Sequence, residues 1–240
     1  MSAYVIDLQA EAGVWGSPRL ELRGVACFEG LTPARGDSAT APVIDILSKA
    51  RTAVVAIEAA GLFPRTPIVT AGGSAFPDLV VQELGPARFA FDTTTVLRAG
   101  CYVTHDHGVY RDTSPFDGRA AGPEVPRLSP ALELIATVLS RPEPELAVAG
   151  FGRRHVPTDD RLPVVLGVFD GGGEKRPTEA KVVRINDQHA MIRVPPNSTL
   201  RPGDALSIGI SHPCGAFDRW RTIAVVSEEG HVIGACAPKL

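Results

Sequence analysis

His212 and Cys214 stand two positions apart in the stretch GISHPCGAFDRWR, residues 209–221. If the apolar run that leads into them is an extended strand, their side chains share one side, because strand side chains alternate with a period of two. An imidazole and a thiolate on one side are two ligands for a borderline-soft cation such as zinc. The alternative for an isolated pair is a capping histidine beside an inert cysteine, since free cysteine is commonly a small buried hydrophobic residue.

A glycine turn, Gly72-Gly73-Ser74, joins the apolar run IVTA to the segment AFPDLVVQEL. The pattern predicts a strand, a turn and a helix, and backbone amides at such a helix start suit a phosphate. The alternative is that the glycines serve only the geometry of a tight turn. The sequence matches neither a P-loop nor the dinucleotide-binding glycine pattern.

A third segment, LRAGCYVTHDHGVY at residues 97–110, concentrates polar and aromatic side chains: Tyr102, His105, Asp106, His107 and Tyr110. Taken alone, it predicts a solvated loop that follows a strand. Loops at the carboxyl ends of barrel strands are, however, where such folds keep their active sites. Both interpretations remain open on the residues alone.

Composition bounds the class of protein. The 240 residues are 44% hydrophobic and 21% charged, which is ordinary for a globular chain. A net charge of −3 gives no electrostatic reason to expect nucleic acid or an anionic membrane. The residue pattern leads us to expect neither a secretion signal nor a membrane-spanning segment. Four dispersed cysteines predict reduced thiols and a cytoplasmic protein: Cys27, Cys101, Cys214 and Cys236.

Residues 1–150 are predicted to alternate strands and helices around a parallel sheet. Helix is expected over residues 43–61, where one apolar stripe recurs at helical spacing: Val43, Leu47, Ala50, Val54 and Ile57. Further helices are expected at AFPDLVVQEL and PALELIATVLS, and strands at AYVIDL, LELRGVACF, PIVTA, RFAFDTTTV and ELAVAG.

Residues 151–240 have a different sequence pattern from residues 1–150. Apolar strands are separated there by Asn-Asp, Pro-Gly-Asp and Glu-Glu-Gly turns, and no helical period survives. This pattern predicts an antiparallel β-domain. A glycine-rich hairpin loop at residues 169–180 and a long proline- and glycine-rich connection at residues 107–130 are expected to be irregular.

Six segments occur in an order that resembles the D-serine dehydratase/D-threonine aldolase family, particularly its D-serine deaminase-like members. These segments are GVACFEG, IVTAGGSAFPD, LRAGCYVTHDHGVY, FGRRHVPTDDRLPVVLG, INDQHA and GDALSIGISHPCGAFDRWR. The resemblance implies a pyridoxal-phosphate enzyme of the alanine-racemase fold type. The expected fold is then α/β plus β, with a partial (β/α) barrel at residues 1–150 followed by an antiparallel β-domain at 151–240.

The resemblance also implies roles for matched positions. The cofactor pyridoxal 5′-phosphate is expected to contact the glycine turn, which holds its phosphate, and two residues of the third segment: Gly72, Gly73, Ser74, Tyr102 and Asp106. Zn²⁺ is expected on His212 and Cys214, whereas aldolase relatives carry an aspartate in the second position and prefer harder ions. His189 is expected to have a supporting role.

An enzyme of this family needs a lysine that forms a Schiff base with the cofactor. The chain has four lysines, and none is placed where the family keeps that residue: Lys49, Lys175, Lys181 and Lys239. The N-terminal lysine segment has no counterpart here. A complete α/β barrel also takes about 250 residues, so a partial barrel with open sheet edges is expected.

The leading hypothesis is a pyridoxal-phosphate- and zinc-dependent D-amino-acid lyase that converts D-serine to pyruvate and ammonia. Zinc would act as Lewis acid on the departing hydroxyl. A separate lysine-bearing chain, or a longer product, would complete the site, and a homo- or hetero-oligomer is expected. One alternative is a non-catalytic remnant that binds a phosphorylated ligand or a partner protein. Another is aldolase-like cleavage of D-3-hydroxy amino acids, against which Cys214 in place of aspartate argues.

Overall fold

The computed structural model describes residues 21–31, 36–116, 122–125, 127–169 and 173–239. The chain divides into two compact units between Ala99 and Gly100. The strand predicted at AYVIDL lies outside the described residues. Among those residues, no helix is both long enough and apolar enough to cross a bilayer.

A three-stranded parallel sheet forms the centre of the first unit. Its strands lie in the order β1-β2-β3 and span Gly24–Ala26, Ile68–Ala71 and Thr94–Leu97. Two α-helices connect them, α1 at Thr40–Ala59 and α2 at Pro77–Leu84. Short 3₁₀ helices lie at Gly36–Ala39 and Pro86–Arg88. The parallel strands with helical connections are the α/β arrangement that the sequence predicts.

Helix α1 buries the stripe that the sequence predicts. Its five buried residues are Val43, Leu47, Ala50, Val54 and Ile57. Each buried valine, leucine or isoleucine contributes about 1.5–3 kcal/mol relative to an exposed one. The helix is followed by Gly61, whose φ of 65° lies in the left-handed region that favours glycine. The 3.6-residue period therefore predicts both the helix and its buried face.

A seven-stranded antiparallel sheet dominates the second unit, in the order β7-β6-β10-β4-β5-β9-β8. The strands span Glu133–Glu143 (β4), Leu146–Ala149 (β5), Val164–Phe169 (β6), Lys175–Arg176 (β7), Lys181–Ile185 (β8), Ala190–Arg193 (β9) and Ala205–Gly209 (β10). A separate hairpin pairs β11, Ile223–Val226, with β12, Val232–Cys236. A short helix α3 spans Val109–Thr113, and 3₁₀ turns lie at Cys101–Val103 and Phe217–Arg219.

The helix predicted at PALELIATVLS is wrong, because residues 133–143 form strand β4. Ala136 and Val138 are buried, whereas Ile135 and Leu139, which flank them, are exposed. Both faces of this segment are apolar, so its sequence satisfies a period of two as well as a helical period. Pairing with β10 and β5 decides the outcome.

The division of the chain also differs from the expected boundary at residue 150. The predicted strand ELAVAG is β5, but it pairs antiparallel with β4 and β9 instead of closing the parallel sheet. Residues 100–149 accordingly fall in the second compact unit. The core of that unit includes Ala136, Val138, Phe151, Leu206 and Ile208.

Candidate functional site

The glycine turn of the first unit follows β2 and precedes α2. Gly72, Gly73 and Ser74 lie in the irregular stretch between Ala71 and Pro77, so the predicted order of strand, turn and helix is present. Ser74 has a φ of 61°, in the left-handed region that few non-glycine residues adopt. The turn is therefore a specifically shaped connection at the carboxyl end of a parallel strand.

Close approach of neighbouring backbone explains both glycines. A Cβ on Gly72 would lie 2.6 Å from the carbonyl carbon of Arg98, and one on Gly73 would lie 2.6 Å from the Cα of Gly30. Neither position can take a side chain without moving main-chain atoms. The packing of three strand ends thus accounts for the Gly-Gly pair before any ligand is considered.

Glu29 changes what the turn can bind. Its side chain is fully buried, and its Oε1 accepts a hydrogen bond from the Gly73 amide at 2.5 Å. A carboxylate therefore takes the amide that the sequence analysis assigns to a cofactor phosphate. In this arrangement the Gly73 amide already has a partner, and the predicted phosphate contacts of Gly72, Gly73 and Ser74 stay predictions. Burial, with the nearby Glu29 charge, also raises the pKa of Cys27 to about 11.

Arg98 supplies positive charge beside the same turn. It directly follows β3, and its guanidinium donates to the Cys27 carbonyl at 2.7 Å and to the Thr70 hydroxyl at 3.1 Å. These bonds fix an exposed cation across the carboxyl ends of the three strands. Arg98 is not among the site residues predicted from sequence, although a basic residue just after a predicted strand is a usable signal.

In the second unit, a backbone ladder joins two distant segments. The His107 amide donates to the Ile210 carbonyl at 2.9 Å, and the Val109 amide donates to the Ser211 carbonyl at 3.0 Å. The loop that contains the third predicted segment is thereby held against the residues that follow β10. His212 and Cys214 belong to this second stretch.

Asp106 organises that loop from inside. It is fully buried, and its carboxylate accepts hydrogen bonds from the amides of Gly108 at 2.8 Å and of Tyr110 at 3.0 Å. Both bonds hold the start of α3. The neighbouring Tyr102, expected near the cofactor, is half-exposed in the 3₁₀ turn. Asp106 thus has a positioning role in the loop, while its predicted contact with a cofactor stays a prediction.

His212 and Cys214 do not lie on a strand. Strand β10 ends at Gly209, and a turn occupies residues 214–216, so the period-two argument for their placement does not apply. The His212 Nδ1 atom is buried and has no hydrogen-bond partner among the described residues. The His212 ring lies 5.4 Å, centroid to centroid, from the ring of Tyr110.

Cys214 is accompanied by a second cysteine. The Sγ atoms of Cys101 and Cys214 lie 3.5 Å apart. Burial, the hydrogen bond with Cys101 and the carboxylates of Asp159 and Asp106 raise the pKa of Cys214 to about 12. Burial and the adjacent Cys101 likewise raise the pKa of Tyr110. Cys101 and Tyr110 are members of the cluster that sequence reasoning did not assign to the metal motif.

The side chains of this cluster are of the types that bind zinc, but they are not yet arranged around a common point. Within the part of the chain that the structure describes, no group of three or more His, Cys, Asp or Glu side chains is already arranged to hold a metal ion. Sulfur and imidazole nitrogen are nevertheless the ligands that zinc prefers. The unsatisfied buried Nδ1 of His212 is the atom that a bound cation would satisfy.

All four lysines are exposed. Lys49 pairs with Asp45 at 2.6 Å on the surface of α1. Lys175 lies 3.1 Å from both carboxylate oxygens of Glu133, which also accepts a hydrogen bond from the Ser207 hydroxyl. Lys181 begins β8, and Lys239 lies beyond β12. None is held in an apolar setting.

Residues 131–226 match the family model described as a putative serine dehydratase domain. The resemblance to the D-serine dehydratase/D-threonine aldolase family is confirmed. The serine dehydratase match runs from β4 to β11 and includes His212 and Cys214, whereas the glycine turn lies outside it. No curated protein matches the chain.

Solved structures share the fold. One is D-threonine aldolase from Filomicrobium marinum, with a TM-score of 0.64 and 23% identity over 95% of this chain and 56% of that one. Another is D-threo-3-hydroxyaspartate dehydratase from Delftia sp. HT23, with a TM-score of 0.57 and 20% identity over 87% of this chain and 54% of that one. The present chain therefore spans a little over half the length of these enzymes.

Proposed function

We propose that this chain forms part of a pyridoxal-phosphate- and zinc-dependent D-amino-acid lyase that converts D-serine to pyruvate and ammonia. The observation that carries the proposal is the cluster around His212. A buried imidazole nitrogen, which has no hydrogen-bond partner in the described part of the chain, lies in the same stretch as a cysteine whose sulfur is 3.5 Å from another sulfur. This stretch falls within the match to a serine dehydratase domain.

His212 and Cys214 are the proposed zinc ligands. Zinc bound there would supply a Lewis acid for a hydroxyl leaving group. A tyrosine phenol is protonated at neutral pH, and the raised pKa of Tyr110 preserves that state, so this side chain serves as a hydrogen-bond donor beside the sulfurs. A sulfur ligand in place of the aspartate of aldolase relatives favours dehydration over aldol cleavage in this proposal.

The proposed phosphate contacts are Gly72 and Ser74, with Arg98 supplying charge. Pyridoxal phosphate, when bound, withdraws electrons from the α-carbon of an amino acid. Arg98 is suited to a phosphate because a guanidinium offers several donors in one plane. Its hydrogen bonds to Cys27 and Thr70 reduce the entropy lost when it binds an anion.

The lysine that bonds to the cofactor is proposed to come from outside residues 1–240. A lysine attacks an aldehyde only as the free amine, which burial favours by lowering its pKa. The four lysines of this chain are all exposed. We therefore propose a complementary lysine-bearing chain or segment that completes a partial barrel of the alanine-racemase type. None of the four cysteines, all within the described residues, forms a disulfide, which supports a reducing, cytoplasmic setting in this proposal.

Pyridoxine 5′-phosphate tests the phosphate contacts without the aldehyde chemistry. It carries an alcohol where pyridoxal phosphate has its aldehyde, so it cannot label surface lysines. We expect the purified chain to bind it at least about tenfold more tightly than unphosphorylated pyridoxine in a calorimetric titration. Equal affinities would overturn the proposed phosphate site.

Variants localise that binding. Ser74→Ala and Arg98→Gln should each weaken pyridoxine 5′-phosphate binding by about tenfold, which corresponds to one charge-assisted hydrogen bond. Ser48→Ala is the matched control, because the Ser48 hydroxyl donates to the Asp45 carbonyl on an exposed part of α1. Affinity that is the same in all three variants would contradict the assignment to the turn.

A further inference from the structure

The geometry points to Cys101 as a second sulfur ligand of the metal site, in addition to Cys214 and His212. This inference rests on the proposed function, because it extends the metal role assigned there to His212 and Cys214. With Cys101, the proposed protein ligands of the metal are two sulfurs and one nitrogen, and no longer one of each. All three residues lie in the second compact unit.

The sulfur separation is close to what one metal ion requires. Two thiolates bound to a tetrahedral zinc at about 2.3 Å each lie about 3.8 Å apart. The Sγ atoms of Cys101 and Cys214 lie 3.5 Å apart, so a displacement of a few tenths of an ångström brings them to that spacing. A disulfide would need an approach to about 2.05 Å. The observed pair is therefore nearer to joint metal ligation than to a covalent bond.

Backbone contacts hold the two sulfurs together. Cys101 begins a 3₁₀ turn, and its carbonyl accepts a hydrogen bond from the His105 amide at 2.8 Å. Beyond His105, the ladder from His107 and Val109 fixes the loop against the residues preceding Cys214. The proximity of the two cysteines is thus built into the fold and does not depend on a freely moving chain end.

Three protein ligands would suit a catalytic ion. Zinc sites that do chemistry use three protein ligands and leave the fourth position for water or substrate. Cys214 is exposed and Cys101 is partly exposed, so one side of the pair faces solvent. No three such side chains among the described residues already converge, and we expect rotation of the His212 side chain to complete the set.

A second sulfur has a chemical consequence. Thiolates favour soft ions, and adding one shifts the preference further from magnesium and manganese toward zinc and cadmium. It also places another negative charge on the metal, which makes the ion a weaker Lewis acid than one bound by neutral ligands. Magnesium and manganese would therefore not replace zinc in the proposed dehydratase.

Cobalt substitution counts the sulfurs without using activity. Co²⁺ is titrated anaerobically, with a phosphine reductant, into the parent chain and the variants Cys101→Ser, Cys214→Ser and Cys236→Ser. Sulfur-to-cobalt charge transfer absorbs in the near ultraviolet, and its intensity rises with the number of thiolates. We expect Cys101→Ser to lose about half of the parent band and to bind cobalt at least about tenfold more weakly.

Cys236→Ser is the matched control, since Cys236 is an exposed free thiol in β12. Its band and affinity should equal those of the parent. A Cys101→Ser band that is unchanged, while Cys214→Ser loses its band, would overturn the role of Cys101 and leave the proposed metal site intact. Absence of any thiolate band in the parent would overturn both.

X-ray absorption on the zinc-loaded parent guards against misfolded variants. The number of sulfur neighbours at about 2.3 Å from zinc should be two in the unmutated chain. One sulfur neighbour would reject Cys101 as a ligand while keeping Cys214. This measurement needs no substitution, so it decides the question even if Cys101→Ser fails to fold.

Discussion

The Sγ atom of Cys101 lies 3.5 Å from the Sγ atom of Cys214, although 113 positions separate the two residues in the chain. The contact exists because the loop that carries Asp106 is docked by backbone hydrogen bonds onto the stretch that follows β10. A motif that appears as an isolated His-x-Cys in the sequence is therefore part of a larger cluster.

Replacing Asp106 should disrupt this docking. The Asp106 carboxylate accepts hydrogen bonds from the amides of Gly108 and Tyr110. In Asp106→Asn, one carboxylate oxygen becomes an NH₂ group, which cannot accept these bonds, and the charge is lost. We expect a loss of about 1–3 kcal/mol in the free energy of unfolding, measured by urea denaturation. Asp218→Asn, at an exposed position, is the control. Equal stability of the two variants would contradict the positioning role of Asp106.

Removing the charge of Glu29 should improve anion binding at the glycine turn. The buried carboxylate bonds to the Gly73 amide and repels a phosphate nearby. We expect Glu29→Gln to bind pyridoxine 5′-phosphate about threefold to tenfold more tightly than the parent. The control is Glu21→Gln, at an exposed residue that pairs with Arg65. Weaker binding in Glu29→Gln would show that the carboxylate supports the site instead of blocking it.

The ion pair between Arg51 of α1 and Glu83 of α2 should make the first unit sensitive to acid. The pair is 2.5 Å long, and the Glu83 side chain is nearly buried. Burial alone would raise the pKa of Glu83, but hydrogen bonds from Arg51 and Gln82 and the charge of Arg51 lower it below its usual value. The stabilisation is therefore present above the unfolded pKa of about 4.3 and is lost as the pH falls through the lower folded pKa.

Glu83→Gln tests that pair. At neutral pH we expect it to lower the free energy of unfolding by about 1–3 kcal/mol. The difference from the parent should shrink between about pH 5 and pH 3, because the parent loses its ion pair there. Urea denaturation across this range provides the measurement. A difference that stays constant with pH would contradict the sign of the shift.

The sequence predicts those parts of the fold whose pattern of apolar residues fits only one type of secondary structure. Helix α1 is such a case, because its five buried residues recur only at helical spacing. Segment 130–140 is apolar on both faces, so periodicity cannot distinguish a helix from β4, and pairing with β10 decides. The unit boundary at Ala99 follows from that pairing and could not be read from local patterns.

For the site, the sequence identifies residues within a motif but not their distant partners. His212 and Cys214 are conspicuous because they are two positions apart, whereas Cys101 lies in the third predicted segment without any local feature that links it to Cys214. Glu29 is equally hidden, since it reaches the Gly73 amide from 44 positions away. Contacts made by loops depend on how strands are ordered in the sheet, and that order is a tertiary property.

Treatment with pyridoxal phosphate and borohydride should label no single lysine of this chain. The four lysines are exposed, and two of them are held in ion pairs with Asp45 and Glu133. We expect weak labelling spread over several lysines in peptide mass spectrometry, and no pyruvate from D-serine. One lysine labelled stoichiometrically, together with D-serine turnover by the chain alone, would show that the catalytic lysine is present after all.

Zinc content tests the central claim most directly, since that claim is a metal site on His212 and Cys214. Elemental mass spectrometry should find about one zinc per chain in the parent protein after loading and dialysis. His212→Ala and Cys214→Ala should each lose most of it, whereas the exposed-site controls His231→Ala and Cys236→Ala should retain it. Equal zinc content in all four variants and the parent would contradict the account.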